Sequence, residues 1–185
     1  AAIGAGIPIH ESRGYMIVDI GGGTTDVAVI SLGGIVSCTS VKCAGNKIDA
    51  AIADYIKKKF SLAIGDKTAE EVKINIGAAV MLEEEFTMTI KGRDFIQGLP
   101  RTAQVSTNEI VKAIDAELKQ MVRAIKDVLQ ETPPELAADI IDQGIIITGG
   151  SSMLRSLPDL VYRKTGVKAR LADDALYCVV KGTGV

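Results

Sequence analysis

The stretch Asp19-Ile20-Gly21-Gly22-Gly23-Thr24-Thr25-Asp26 gathers the residue types that grip a phosphate. Three glycines strip the side chains from the tip of a turn, so backbone N–H groups can close on an anion and form a nest. Asp19 ends an apolar run, where a carboxylate can hold Mg2+ through the ion's waters. Thr24 and Thr25 bring hydroxyls beside the phosphates. Asp26, at the head of the outgoing run, is placed to orient an attacking water. A plain tight hairpin would account for two glycines. Three in a row, bracketed by aspartates on two apolar runs, fit phosphate binding better.

Two further constellations are weaker. In Ile145-Ile146-Ile147-Thr148-Gly149-Gly150-Ser151-Ser152-Met153, an apolar run ends in two glycines, where a planar ring or a phosphate can approach the backbone. Any strand-to-helix connection with paired glycines and a serine cap would look the same. In Glu70-Glu71-Val72-Lys73, Glu70 and Lys73 share a helix face, where they could hold a ribose and flank a base; a solvated ion pair is the simpler reading of these two alone. His10, the only histidine, receives no role.

The elements that must position these residues follow from pattern. Strands are expected at Tyr15–Ile20, Thr25–Ser31 and Ile35–Cys43, an antiparallel meander turned by the triple glycine and by Gly33-Gly34. Ile48, Ile52 and Ile56, four apart, predict an amphipathic helix through about Phe60. Thr68 with Glu71 reads as a capping box opening a helix from Ala69 to about Leu82. A strand from Glu85 to Ile90, a turn at Lys91-Gly92-Arg93-Asp94 and a short strand from Phe95 to Gln97 come next. Ser106 with Glu109 caps a long helix to about Glu131, whose stripe Ile110, Ile114, Leu118, Met121, Val122 and Ile125 reads as a core face. Pro133-Pro134 opens a short helix. The strand Ile145–Thr148, a helix with Pro158 in its first turn and Gly166 at its end, a strand Val167–Leu171 and a helix from Asp174 complete the series. This order predicts a larger α/β subdomain, residues 1–60 and 107–185, split by a smaller insert, residues 61–106.

Composition narrows the partners. At 47% hydrophobic and 24% charged residues, the 185-residue chain has an ordinary globular balance, and its net charge of −2 gives no pull toward nucleic acid or anionic lipid. No apolar run approaches the roughly 20 residues that cross a bilayer. Cys38, Cys43 and Cys178 show no zinc-ligand spacing. Cys38 and Cys43 fall on opposite faces of their strand, which predicts free thiols in a reducing cytoplasm.

Taken together, these motifs resemble the actin, sugar-kinase and heat-shock-chaperone ATPase superfamily. Asp19 to Asp26 is similar to its second phosphate loop, and Thr148 to Met153 to its adenosine loop. Ala2-Ile3-Gly4-Ala5-Gly6-Ile7-Pro8, Ser31-Leu32-Gly33-Gly34-Ile35-Val36, Thr68 to Gly77 and Thr132 to Gly150 narrow the resemblance, end to end, to the second half of the MreB and Mbl family of bacterial actins. The resemblance implies a ribonuclease H-like, actin-type ATPase lobe with a smaller inserted α+β subdomain. It implies an ATP-dependent filament under the inner membrane of rod-shaped bacteria, guiding cell-wall synthesis.

Carried over residue by residue, Gly21, Gly22, Gly23 and Thr24 would meet the β- and γ-phosphates of ATP, and Asp19 the Mg2+. Thr25 and Asp26 would serve hydrolysis, Asp26 standing where many relatives have Glu. Glu70 and Lys73 would frame the ribose and base. Gly149, Gly150, Ser151 and Ser152 would pack on the adenosine, the two serines replacing the family's usual glycine and alanine. The partners implied are further copies in a filament, RodZ-like and cell-wall elongation proteins, and no nucleic acid; membrane contact is expected only through the family's other half. The chain reads as a fragment, inactive alone because ATP in the superfamily lies between two lobes. A related ATPase acting as chaperone or assembly regulator, or a lone partner-binding lobe, are the alternatives.

Overall fold

Apolar side chains on both faces of Tyr15–Ile20 seat the strand from which the glycine turn projects. The computed structural model describes residues 1–184; Val185, the last residue of the expected larger subdomain, lies outside them. The chain divides into two compact units: Ala1–Gly45 with Lys119–Met153 and the chain from Leu157 onward, and Asn46–Leu118 with Leu154–Ser156. The 61–106 segment expected as an insert lies wholly inside the second.

The first unit holds a five-stranded mixed sheet in the order β3-β2-β1-β7-β8, with β1 Tyr15–Ile20, β2 Thr25–Ser31, β3 Gly34–Val41, β7 Ile145–Thr148 and β8 Ala169–Leu171. The meander is antiparallel as expected, while β7 pairs parallel with β1 on its other side and β8 parallel with β7. Met16, Val18, Ile20, Val27, Val29, Ile145 and Ile147 fill one face and are at most 1% exposed. Tyr15, Ile17 and Ile146 point the other way and form a second core with Ile7, Ala172 and Cys178. Both faces of β1 and β7 are thus buried, which is why they read as unbroken apolar runs.

In the second unit, helix α1 (Gly45–Phe60) and helix α2 (Asp66–Ile76) accompany a three-stranded antiparallel sheet, β4 Leu62–Ala63, β5 Thr87–Asp94 and β6 Pro100–Ser106. Helix α3 (Thr107–Ala113) follows with the expected capping box of Ser106 and Glu109. Ion pairs Lys73–Asp49 and Lys59–Glu109 tie α2 and α3 to α1.

Several expected elements differ. Helix α2 starts at Asp66 with Gly65 as its cap and no side-chain cap bond, so Thr68 is an interior residue. Asp66 in the first turn complements the helix dipole and draws the start forward. The helix ends at Gly77, where an added Cβ would lie 2.3 Å from the Lys73 carbonyl oxygen. Strand β5 runs straight through Lys91–Asp94, because Gly92 marks a close approach to β4 rather than a turn: a Cβ there would meet the Ala63 carbonyl oxygen at 2.4 Å. The turn comes at Phe95–Leu99, organised by Asp94, whose Oδ1 accepts the N–H of Ile96 and of Gln97 at 2.9 and 2.8 Å. Finally, the long helix breaks at Ile114 (φ −103°, ψ 7°), giving α3 and then α4 (Asp115–Glu131).

Helices α5 (Pro134–Gln143) and α6 (Leu157–Thr165) keep to expectation. The strand expected at Phe95–Gln97 is a turn, with β6 following it, and a 3-10 turn at Gly150–Met153 precedes α6. The last helix, α7 (Cys178–Thr183), begins after a 3-10 turn at Ala175–Tyr177 and not at Asp174. No disulfide joins the three cysteines; Cys38 is exposed and the other two are buried.

Candidate functional site

A polar row crosses one end of the first unit's sheet. Strand register places Ser40 opposite Asp26, Asp26 opposite Asp19, and Asp19 beside Thr148, so all four side chains lie on one face across β3, β2, β1 and β7. The row behind it, Cys38, Ala28, Ile17 and Ile146, is apolar apart from the thiol. An open groove of about 670 Å3 runs along this face, lined by Asp19, Asp26, Ile17, Ala28, Ile30 and Ile35 among others. It leads away from the glycine turn, and Gly21, Gly22 and Gly23 do not line it.

The Gly21–Thr24 turn leaves this end of the sheet. Gly21 donates its N–H to the Thr24 carbonyl at 3.0 Å, and its own carbonyl accepts the Gly45 N–H at 3.2 Å and the Ser151 hydroxyl at 2.8 Å. Gly22, Gly23 and Thr24 are exposed. None of the three glycines has the positive φ that a hairpin glycine serves, and a Cβ on Gly23 would meet nothing within 4 Å. Neither backbone conformation nor internal packing therefore demands glycine at 23. What the missing side chain provides is access to the backbone from outside.

Gly149 has the opposite character. Its φ is +91°, and a Cβ would lie 2.3 Å from the Ile20 carbonyl oxygen and 2.6 Å from Asp19 Oδ1. The second glycine-bearing segment is thus seated against the end of β1, and Gly149 to Ser152 stand beside the first turn. Gly150 is half-buried under Leu176, and the Ser152 hydroxyl returns to the Gly149 carbonyl at 2.5 Å.

The two threonines divide their work. Thr24 is exposed and donates to Asp26 Oδ2 at 2.8 Å, which orients that carboxylate. Thr25 is fully buried, and its hydroxyl donates to the Cys43 carbonyl at 2.6 Å. Its hydrogen bond is committed inward, fixing the start of β2. Of the polar row, Ser40 has no part in the sequence reading of the site, and Thr148 is read there only as the start of the second glycine segment, not as the neighbour of Asp19. Thr148 is wholly buried with a hydroxyl that finds no hydrogen-bond partner, an orphan beside Asp19.

Glu70 and Lys73 belong to the second unit. Glu70 is exposed, whereas Lys73 is partly buried and its ammonium stands 2.9 Å from the Asp49 carboxylate of α1. Lys73 thus pairs with another helix instead of with Glu70. No group of three or more His, Cys, Asp or Glu among the described residues is arranged to hold a metal ion.

A family model described as "MreB/Mbl protein" matches residues 1–185. The chain is 47% identical over 185 residues to the cell shape-determining protein Mbl of Bacillus subtilis, covering 100% of this chain and 56% of that protein. It is 44% identical over 184 residues to the cell shape-determining protein MreB of Escherichia coli, covering 100% of this chain and 53% of that one. The chain therefore spans about half the length of these relatives. Among solved structures, MreB5 of Spiroplasma citri bound to AMPPNP superimposes with a TM-score of 0.95 at 42% identity, over 99% of this chain and 55% of that one. A MamK double helical filament matches with a TM-score of 0.76 at 26% identity, over 91% of this chain and 52% of that one.

Proposed function

The chain belongs to the MreB/Mbl protein family, and on that premise we propose that it is a nucleotide-gripping lobe of a filament-forming cell-shape protein. The observation that carries this reading is Gly23, a glycine that neither φ nor packing requires, at the tip of a turn flanked by Asp19 and Asp26. The solved relative bound to AMPPNP and the MamK filament support nucleotide binding and self-association.

The residues present fit ATP with Mg2+. The backbone amides of Gly22, Gly23 and Thr24 are reachable for the β- and γ-phosphates, and Asp19 stands where a carboxylate can hold a hydrated cation. When bound, the metal supplies neutralisation of phosphate charge. The chain's own groups do the rest. Asp26, held by the Thr24 hydroxyl, orients a water toward the phosphates, one carbon shorter in reach than a glutamate. Thr25 anchors the strand beneath it. Gly149, Gly150 and Ser152 form the wall for the adenosine; in the second unit, Lys73 is steadied by Asp49.

Because catalysis of phosphoryl transfer is mostly electrostatic positioning, a lobe that supplies part of the clamp binds weakly and turns over negligibly. In the whole protein, we assign filament assembly, contact with RodZ-like and cell-wall elongation proteins, and work at the inner face of the cell membrane. No helix among the described residues is long and apolar enough to cross a membrane.

The test is calorimetric titration of Mg-ATP into this chain beside the full-length Bacillus subtilis Mbl, with hydrogen exchange at saturation. Weak binding here, tight binding there, and slowed exchange at residues 21–24 and 149–152 are expected. Tight binding to this chain alone would make it a self-contained module. Unaltered exchange at both segments would sink the nucleotide reading.

A further inference from the structure

The two loops of the site are joined by one side chain. Ser151 is 9% exposed, and its hydroxyl donates to the Gly21 carbonyl across 130 residues of sequence. That carbonyl also accepts the Gly45 N–H, while the Gly21 N–H closes the turn on Thr24. Gly21 is therefore the fixed corner of the turn, and Ser151 supplies one of the bonds that fix it. Screened from water, such a bond holds its geometry better than an exposed one. Ser152 differs, since its hydroxyl returns within its own segment to Gly149. With its hydrogen spent on Gly21, Ser151 has no donor to offer a ligand.

We propose that Ser151 is a positioning residue, a strut that couples the adenosine end of the site to the phosphate end. This rests on the nucleotide reading above. A ligand that orders residues 149–152 narrows the freedom of Ser151, and through it that of Gly21, so the phosphate turn is preorganised before phosphates arrive. By reciprocity, phosphates held at the turn favour binding at the adenosine end by the same factor.

Residue-resolved amide hydrogen exchange of this chain tests the strut without any ligand. In Ser151→Ala, the hydrogen-bonded amides of Gly21 and Gly45 should exchange about two- to tenfold faster, with amides inside β1 and β2 unmoved. Unchanged rates at Gly21 and Gly45 overturn the proposal. If that variant loosens the whole unit, Ser151→Thr decides, because it keeps the donor: parental rates support the strut, and faster exchange at Gly21 overturns it. The second arm adds adenosine, which carries no phosphate. In the parent it should slow exchange at both Ser152 and Gly21; in Ser151→Ala, at Ser152 alone. Slowing confined to Ser152 in the parent overturns the coupling. Slowing at neither site counts against the nucleotide reading, and the ligand-free comparison still judges the strut.

Discussion

Gly149→Ala and Gly23→Ala change the same atoms in neighbouring loops, yet their effects on stability should differ by more than an order of magnitude in equilibrium constant. At Gly149 the new methyl meets two penalties. The φ of +91° is one that a side chain resists, at about 1–2 kcal/mol. The Cβ would also lie 2.3 Å from the Ile20 carbonyl oxygen, which must shift, and overpacking of this kind costs about 1–3 kcal/mol. Together the loss is about 2–5 kcal/mol, a large share of the roughly 5–15 kcal/mol that holds a domain folded. At Gly23 the methyl meets nothing within 4 Å and the φ is not positive, so the change should stay within about 0.5 kcal/mol. Urea unfolding by circular dichroism reads both. With a slope of about 2 kcal/mol per molar, Gly149→Ala moves the midpoint down by about 1–2.5 M and Gly23→Ala hardly at all. A loss under about 1 kcal/mol at Gly149, or equal losses at the two sites, would refute the reasoning.

Three other outcomes follow from named groups. Thr148→Val removes an unpartnered buried hydroxyl while keeping its shape, so thermal stability should be unchanged or raised; a loss above about 1 kcal/mol would show that the hydroxyl is bonded after all. The Asp94 carboxyl is held below its usual range, first by the Gln97 N–H, then by Arg101 and the Ile96 N–H. A lowered folded value means that its stabilisation is complete above the unfolded value of about 3.9 and is lost as pH falls through the folded one. Unfolding titrations should therefore show Asp94→Asn less stable than the parent near neutrality and converging on it below about pH 4; a constant gap would refute this. Thiol titration of the native chain should find one fast group, Cys38, lost in Cys38→Ser. Cys43 and Cys178 are at most 1% exposed, and burial pushes the Cys178 thiol up, so both should wait for unfolding.

The parts of the site that were legible in sequence are those that local chemistry fixes. A four-residue turn between Ile20 and Thr25 sets Asp19 opposite Asp26, and both strands ended where the glycine run and the apolar alternation said they would. Strand β7 was equally plain as a buried apolar run. Thr148 was not legible as a neighbour of Asp19, because that follows from a parallel pairing with a strand far along the chain, which no local pattern encodes. In sequence Thr25 reads as a hydroxyl beside the phosphates; β alternation turns it inward to Cys43, while Thr24 stays outside. Gly92 reads as a turn in sequence because glycine as punctuation and glycine as a place of close backbone approach look alike there. The Thr68 capping pattern gave way to Asp66, which sits in the first turn of a helix already begun.

The parallel pairing of β1 with β7 also sets an order of events during synthesis. The β1–β2 hairpin closes over four residues, whereas Ser151 must return to Gly21 across 130. The added loop-closure cost is only about 3 kcal/mol, so the delay lies in translation. At about 5–20 residues per second, roughly 6–25 seconds separate the emergence of the glycine turn from that of the segment that braces it. Throughout that interval β1, central in the finished sheet, is an edge strand with an unpaired ladder and two apolar faces. The strand that carries the glycine turn is thus also the edge that a nascent chain most needs shielded.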